Sequence, residues 1–566
     1  MQSKWIIASN NKEVTGDLSK RLGVHPITAQ ILANRGITTS DEAQIFLNPK
    51  LSYLPDPSLL PDMEKAVARV FQAIAGNEKI AIFGDYDTDG VTSTALLVRF
   101  FRECGVTADS YIPNRLSEGY GLSKAGIDKL GERGTKLIIT ADNGTNANET
   151  INYANSLGID VIVTDHHEVT GALPQAIAII NPKRLNETSE FRNLAGVGVA
   201  FYFACGLRSK LRDENVLKNG IPDLKTYLDL VAMGTVADVV PLTELNRILV
   251  KQGVEVLKKT SNIGIAALAE AASTPIEEIE TSSIAFRLSP RINAAGRMGN
   301  HTLALDLLTT EDKNEATEIA RKLNKMNSER QSVEKQILEQ LNQRLEKMDS
   351  TRSSIVLWSD QWHVGVIGIA ASRMAEAHRK PCALISIDGN SGRGSVRSVG
   401  NFNILDTLTT CAPTLKNFGG HTAAGGFDID TSNLEHFSEA FEKHTAQNLT
   451  DEDRAPTIRL DAELELSDIN MQLVKELGSL APFGEGNPKP LFSTPGYTAK
   501  NARIVGTNHL KLKISDNKNA LDAIGFGLGD RELKVGKSYQ FAGSPELNHW
   551  NGITRIQFKL KDLRAT

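Results

Sequence analysis

Between residues 79 and 240 the chain repeats one device, a short run that is apolar on both faces followed by a stretch of helical periodicity. KIAIF precedes TSTALLVRFFREC, KLIIT precedes a helix around Asn148 to Leu157, and DVIVT is followed by AIAII. A strand that is apolar on both faces is covered on both, and its alternation with helices predicts a parallel sheet with helices on either side. Such sheets bind ligands in the crevice beyond the carboxyl ends of their strands. Here those ends carry acids and imidazoles. KIAIF runs into GDYDTDGVTST with Asp85, Asp87 and Asp89, KLIIT leads to Asp142, and DVIVT leads to Asp165, His166 and His167. Another apolar segment, LVAMGTVADVVPL, reaches Asp238.

Carboxylates crowded into a dry crevice need either raised pKa values or a cation, and imidazole beside them favours the cation. Mixed aspartate and histidine ligands suit Mn²⁺ or Mg²⁺ better than thiophilic metals, and a pair of such ions suits phosphate chemistry. Taken singly, each aspartate would serve as a helix cap or turn residue. DYDTDG opens like a calcium loop, but GVTST follows where an EF-hand needs a glutamate at the twelfth position. The four cysteines, Cys104, Cys205, Cys382 and Cys411, form no CxxC pair, which excludes a zinc knuckle and gives no disulfide framework. What singles the region out is DYDTDG, ADNG, TDHH and GTVADVV in that order on successive sheet ends.

A chain of 566 residues exceeds one hydrophobic core. Residues 1–75 look helical, with LGVHPITAQILANRG and an N-cap at Thr39 or Ser40 before Asp41 and Glu42, and are expected to form a cap on the next domain. No basic face accompanies them, which argues against a helix-turn-helix reader. A parallel-sheet domain over 76–310 leads into one amphipathic helix over 311–350, with apolar residues at Ala316, Ile319, Leu323, Met326, Val333, Ile337, Leu341 and Leu345. A smaller α/β domain over 351–450 opens with SSIVLW and holds the Gly-rich segments DGNSGRGSVRSVG and NFGGHTAAGGF. Residues 456–566 read as short strands, with alternation in HLKLKI and a turn at Asn551-Gly552, and suit an OB-like barrel. The net charge is −5, yet residues 501–566 hold eleven Lys or Arg against six Asp or Glu, a local +5 that suits a nucleic-acid partner. No apolar run is long enough to span a bilayer, and the patch Trp5 to Ala8 is too short for a secretory segment, so the expected compartment is cytoplasmic.

DYDTDG, ADNG and DHH in this order resemble the DHH phosphoesterase superfamily, and GTVADVVPL, RINAAGRM and GGHTAAGGF bring the resemblance close to the RecJ family of single-strand-specific 5′ to 3′ exonucleases. The resemblance extends over nearly the whole chain. It implies a DHH domain, a DHHA1-type domain and a terminal OB-like domain, and a Mn²⁺- or Mg²⁺-dependent hydrolysis of single-stranded DNA in recombination and mismatch repair. It implies that Asp87, Asp89, Asp142, His166 and Asp238 ligate metal, with Asp142 bridging two ions, while His167 faces the phosphate. Asp165 would orient a neighbouring imidazole, and Asp85 would bond the amides of its own loop. Many family members carry a histidine four residues before the first ligating aspartate. Phe83 stands there in this chain, so the ion on the Asp87 side is expected to be the weaker one. Recognition of a 5′ end calls for planar, fixed-charge donors, for which Arg115, Arg297, Arg393 and Arg397 are candidates, with Ser395 adding a hydroxyl, Tyr120 stacking on a base and His421 near the scissile group. The implied partners are single-strand-binding protein and a RecQ-type helicase, around a monomer. Two other readings stay open: a DHH phosphoesterase for short oligonucleotides or small phosphodiesters, and a DNA-binding scaffold that has lost its metal.

Overall fold

In the strand Lys79–Phe83 the period of two divides the side chains between two cores. Ile80 and Ile82 pack with the helices on one face of a sheet, Ala81 and Phe83 with those on the other. Leu137, Ile139 and Ile162 join the first core, and Ile138, Val161 and Val163 the second. The computed structural model describes residues 3–115, 117–217, 220–347, 349, 351–531, 533–550 and 552–566. Its first sheet is wholly parallel, in the order Ala108–Tyr111, Lys79–Phe83, Thr135–Thr140, Asp160–Thr164, Ala178–Ile180. The chain therefore leaves the central strand Lys79–Phe83 first to one side and then to the other. A crevice opens between it and Thr135–Thr140, where the order reverses.

The helix Lys313–Leu345 begins at Asp312, whose carboxylate accepts from the amides of Asn314 and Glu315. It takes part in two cores in succession. Ala316, Ile319, Ala320 and Leu323 lie in the core of the first domain, Ile337 and Leu341 in that of the second. The second sheet runs Asn417–Gly420, Ala424–Asp430, Ser391–Arg397, Cys382–Asp388, Ile355–Ser359, with only its last pair parallel. The helix Val364–His378 covers this sheet and packs on the connector.

In the C-terminal domain the strands Ser538–Trp550, Tyr497–Val505, His509–Ser515, Ala520–Phe526 and Ile553–Ala565 pair in succession, and the last returns to the first, closing an OB-type ring. Of the expected Asn551-Gly552 turn, Asn551 lies outside the described residues. The N-terminal helices differ from expectation. Leu18, Ala29, Ile31, Leu32 and Ala43 share a core with the barrel, through Leu473, Phe492 and Phe541, while Leu60 and the helix Met63–Ala75 join the parallel-sheet domain that follows in sequence, and Arg247 of that domain stacks over Phe46. The strand Lys4–Ile7 pairs in parallel with Thr457–Leu460, which draws this segment to the far end of the chain. Among the described residues no helix is long and apolar enough to cross a membrane.

Candidate active site

The crevice at the strand-order reversal receives side chains from four segments. Asp87 caps the helix Thr88–Glu103, accepting from the Gly90 amide at 3.0 Å, and Asp89 lies buried in the first turn of that helix. Both Asp89 oxygens accept from the N-terminus of the helix Gly196–Asp213, Oδ2 from Gly196 at 2.6 Å and Oδ1 from Val197 at 2.9 Å. Asp142 stands two residues beyond its strand with φ of 65°, a left-handed conformation that aspartate tolerates better than bulky residues. Its amide donates to Thr164 and its carbonyl accepts from the Tyr120 hydroxyl at 2.7 Å. Asp238 caps the buried helix Leu228–Ala237.

His166 brings these segments together. Its Nε2 lies 3.1 Å from Asp142 Oδ1, 3.6 Å from Asp238 Oδ2 and 3.8 Å from Asp89 Oδ2. Neither His166 Nε2 nor Asp142 Oδ1 has a hydrogen-bond partner, although both atoms are buried. Burial, reinforced by Asp89, Asp87 and Asp238, pushes the Asp142 carboxyl well above the usual carboxylate range. Burial and the charges of Asp89 and Asp87 push Asp238 up to about 9. Burial and Asp87 push Asp89 to about 7, against the two amides that hold it. Burial, then the neighbouring His167, lowers His166 to about 4, so its imidazole is neutral. A neutral imidazole with an unused lone pair, facing carboxylates too crowded to ionise together, is a donor set that fits a divalent cation. A Cβ on Gly196 would stand 2.6 Å from Asp142 Oδ1, so only glycine leaves this space open.

His167 is held differently. Its Nδ1 lies 2.7 Å from Asp165 Oδ1, and the other Asp165 oxygen accepts from the Thr145 amide. Burial depresses the imidazolium, but the hydrogen bond and charge of Asp165, with Asp238 and Asp87, hold it at about 9. The Tyr120 hydroxyl lies 3.2 Å from either ring nitrogen, while half of the Tyr120 surface remains exposed. Asp85 is fully buried; Oδ1 accepts weakly from the Gly121 amide at 3.4 Å, and Oδ2 has no partner. Phe83 packs on Tyr111, ring centres 4.9 Å apart, and offers no ligand atom. A cavity of 810 Å³ joins Tyr120, His166 and His167 to His421, which arrives from the second domain between its last two strands.

A group of arginines lies beyond Asp85 and Asp87. Arg115 stacks over the Tyr86 ring at 4.9 Å. Arg297 Nη1 donates to the Gly365 carbonyl at 3.0 Å, crossing from the first domain to the second. Arg397 donates to Ser395 Oγ and Ser372 Oγ, both at 3.0 Å. Burial and then Arg115, Arg330 and Arg397 lower Arg297 to about 10, and burial and then Arg115 lower Arg397. Among the described residues none of Arg115, Arg297 and Arg397 forms an ion pair with a carboxylate, and like charges held together in this way make a site for an anion. Arg393 does not belong to it. Farther along the strand Ser391–Arg397, it faces Asp428 across the ladder at 3.6 Å and is exposed. Tyr86 was legible only as a letter inside DYDTDG, and no pattern announced its role as the platform under Arg115. Nothing in the sequence pointed to Gly365 or Ser372.

Models of three families match the chain: the DHH family, N-terminal domain, over residues 79–235, the DHHA1 domain over 352–447 and the RecJ OB domain over 460–562. The single-stranded-DNA-specific exonuclease RecJ of Escherichia coli (strain K12) is 33% identical over 573 residues, covering 97% of this chain and 97% of that protein. Its namesake in Bacillus subtilis (strain 168) is 34% identical over 565 residues, covering 99% of this chain and 70% of that protein. The crystal structure of RecJ in complex with Mn²⁺ from Thermus thermophilus superposes with a TM-score of 0.86 at 31% identity, covering 100% of this chain and 80% of that one. The complex of the same protein with Mg²⁺ gives a TM-score of 0.80.

Proposed function

The chain belongs to the RecJ family, and on that premise we propose that it is a metal-dependent exonuclease that hydrolyses single-stranded DNA from the 5′ end, in recombination and mismatch repair. The observation that carries this reading is the meeting of His166 Nε2 and Asp142 Oδ1, buried and unpaired, with Asp89 and Asp238 in reach and three arginines nearby. Asp87, Asp89, Asp142, His166 and Asp238 would hold the ions, Asp142 serving both. Mn²⁺ or Mg²⁺ bound there would supply Lewis acidity toward water and the attacked phosphate.

The remaining assignments follow from what each side chain offers. His167, protonated at neutral pH and anchored by Asp165, presents a charged donor where negative charge develops on phosphorus. Tyr120 steadies that imidazole and offers its exposed ring to a base. Arg115, Arg297 and Arg397 with Ser395 take the terminal phosphate, which sets the 5′ polarity, and His421 closes on the strand from the second domain. With Phe83 in place of an imidazole, an ion beside Asp87 would have one protein ligand fewer and be held the less firmly. Family membership extends the reading to single-strand-binding protein and a RecQ-type helicase as partners, to a monomer and to the cytoplasm.

One experiment tests the core of this: the protein with Mn²⁺ is given a long 5′-labelled single strand, the corresponding duplex and small phosphodiesters. The expected result is release of label from the single strand alone. Faster turnover of the small phosphodiesters would overturn it in favour of an oligonucleotide phosphoesterase, and binding without cleavage in favour of a scaffold.

A further inference from the structure

The arginine pocket is assembled from two domains, Arg297 from the first, Ser395 and Arg397 from the second, so its shape depends on how the domains are registered. The joint between them lies in the middle of the helix Lys313–Leu345. Leu323 packs in one core and Ile337 in the next, but Asn327, Arg330 and Glu334 between them are buried polar residues. Arg330 donates through Nε and Nη2 to Asn327 Oδ1, at 3.2 and 3.1 Å, and through Nη1 to Glu334 Oε2 at 2.7 Å. The other Glu334 oxygen forms an ion pair, without hydrogen-bond geometry, with Nε of Arg373 at 2.5 Å, a residue of the helix Val364–His378 whose side chain is otherwise 62% exposed. That same helix offers the Gly365 carbonyl to Arg297 and Ser372 to Arg397.

We propose that Glu334 is a positioning residue for recognition of the strand's terminal phosphate, fixing the Arg397 half of the pocket against the Arg297 half by tying the connector helix to the helix Val364–His378. The inference rests on the reading of the arginine group as a terminal-phosphate pocket. Two considerations support it. A buried ion pair is not needed to hold two helices together, since apolar residues of similar volume do so at least as well, and the helix uses them on either side of the joint. What the pair adds is a fixed register. In addition, Glu334 offsets part of the charge of Arg330, which is close enough to Arg297 to depress its pKa. Without that carboxylate a further positive charge would push against the pocket.

The test uses the full chain with Mn²⁺ on single strands bearing either a 5′-phosphate or a 5′-hydroxyl. For Glu334→Gln the KM for the phosphorylated strand is expected to rise about tenfold, with kcat within about twofold of wild type and the KM for the hydroxyl strand unchanged. Glu334→Asp should recover part of the loss. Arg373→Gln, which alters an exposed side chain and leaves Arg330 paired, should raise the same KM about threefold. A purely structural ion pair would lower the melting temperature and leave the phosphate-to-hydroxyl ratio where it was. That result in both variants overturns the inference, and if Glu334→Gln does not fold, Arg373→Gln alone decides it. A wild-type protein indifferent to the 5′-phosphate would overturn the pocket reading itself, and this inference with it.

Discussion

Asp89, Asp142, His166 and Asp238 all come from one domain, and two of them follow directly on strands of a single sheet. Arg297, Ser395 and Arg397 come from two domains joined by a 33-residue helix. The first group is placed by neighbouring strand ends and, for Asp89, by two helix amides. The second is only as well placed as the joint between the domains allows. The ligands for chemistry are therefore set by local folding, while recognition of the strand's end is set by tertiary assembly, and damage to one region should leave the other largely intact.

The sharpest way to separate the two is Asp142→Ala. It should abolish cleavage, by about a thousandfold or more, while the variant still binds a 5′-phosphorylated strand; fluorescence anisotropy and a radiolabel release assay report the two quantities. Loss of binding to the same degree would mean that the regions are not independent. Next in size is Arg297→Gln, which removes a charged donor worth on the order of 2 kcal/mol. The KM for phosphorylated single strands should rise about thirtyfold, with turnover of 5′-hydroxyl strands nearly unchanged.

A smaller effect concerns stability. Asp142 and Asp238 have carboxyls raised above their unfolded values, Asp238 to about 9, so the folded metal-free protein binds more protons than the unfolded chain. The stability that these two groups contribute falls as pH rises from the ordinary carboxylate range toward 9. A bound cation relieves the repulsion, so the gain in melting temperature from Mn²⁺ over chelator-treated protein should be small at pH 5 and grow toward pH 8, to about 3 °C. A gain independent of pH would place the ion elsewhere. Smallest of all is Arg393→Ala, expected to leave KM and kcat within about twofold, because its side chain pairs with Asp428 outside both regions. A tenfold loss would return Arg393 to the pocket.

These regions were not equally legible. The aspartates and histidines of the cluster could be read from the sequence because the β-α alternation fixes where strands end, and strand ends fix where ligands converge. Arg115, Arg297 and Arg397 were recoverable as residue types suited to phosphate, yet their meeting depends on contacts between segments far apart in the chain. Arg393 shows the limit, since it alternates in phase with Ser395 and Arg397 but lies beyond the reach of the covering helix. The buried trio Asn327, Arg330 and Glu334 was hidden for a related reason: on an amphipathic helix polar residues read as solvent-facing, and only tertiary packing around the helix makes them interior. The same limit hid the destination of the N-terminal helices, whose apolar stripes do not say which surface they meet.

That destination has a consequence for how the protein is made. The helices Lys12–Leu22, Pro26–Asn34 and Ser40–Leu47 leave the ribosome long before the residues from Ala462 onward that complete their core. At ordinary rates of synthesis the wait is about 20 to 80 s. Through that interval Leu18, Ile31 and Leu32 lack their native core partners, and their apolar surface is covered only by provisional contacts until those residues arrive.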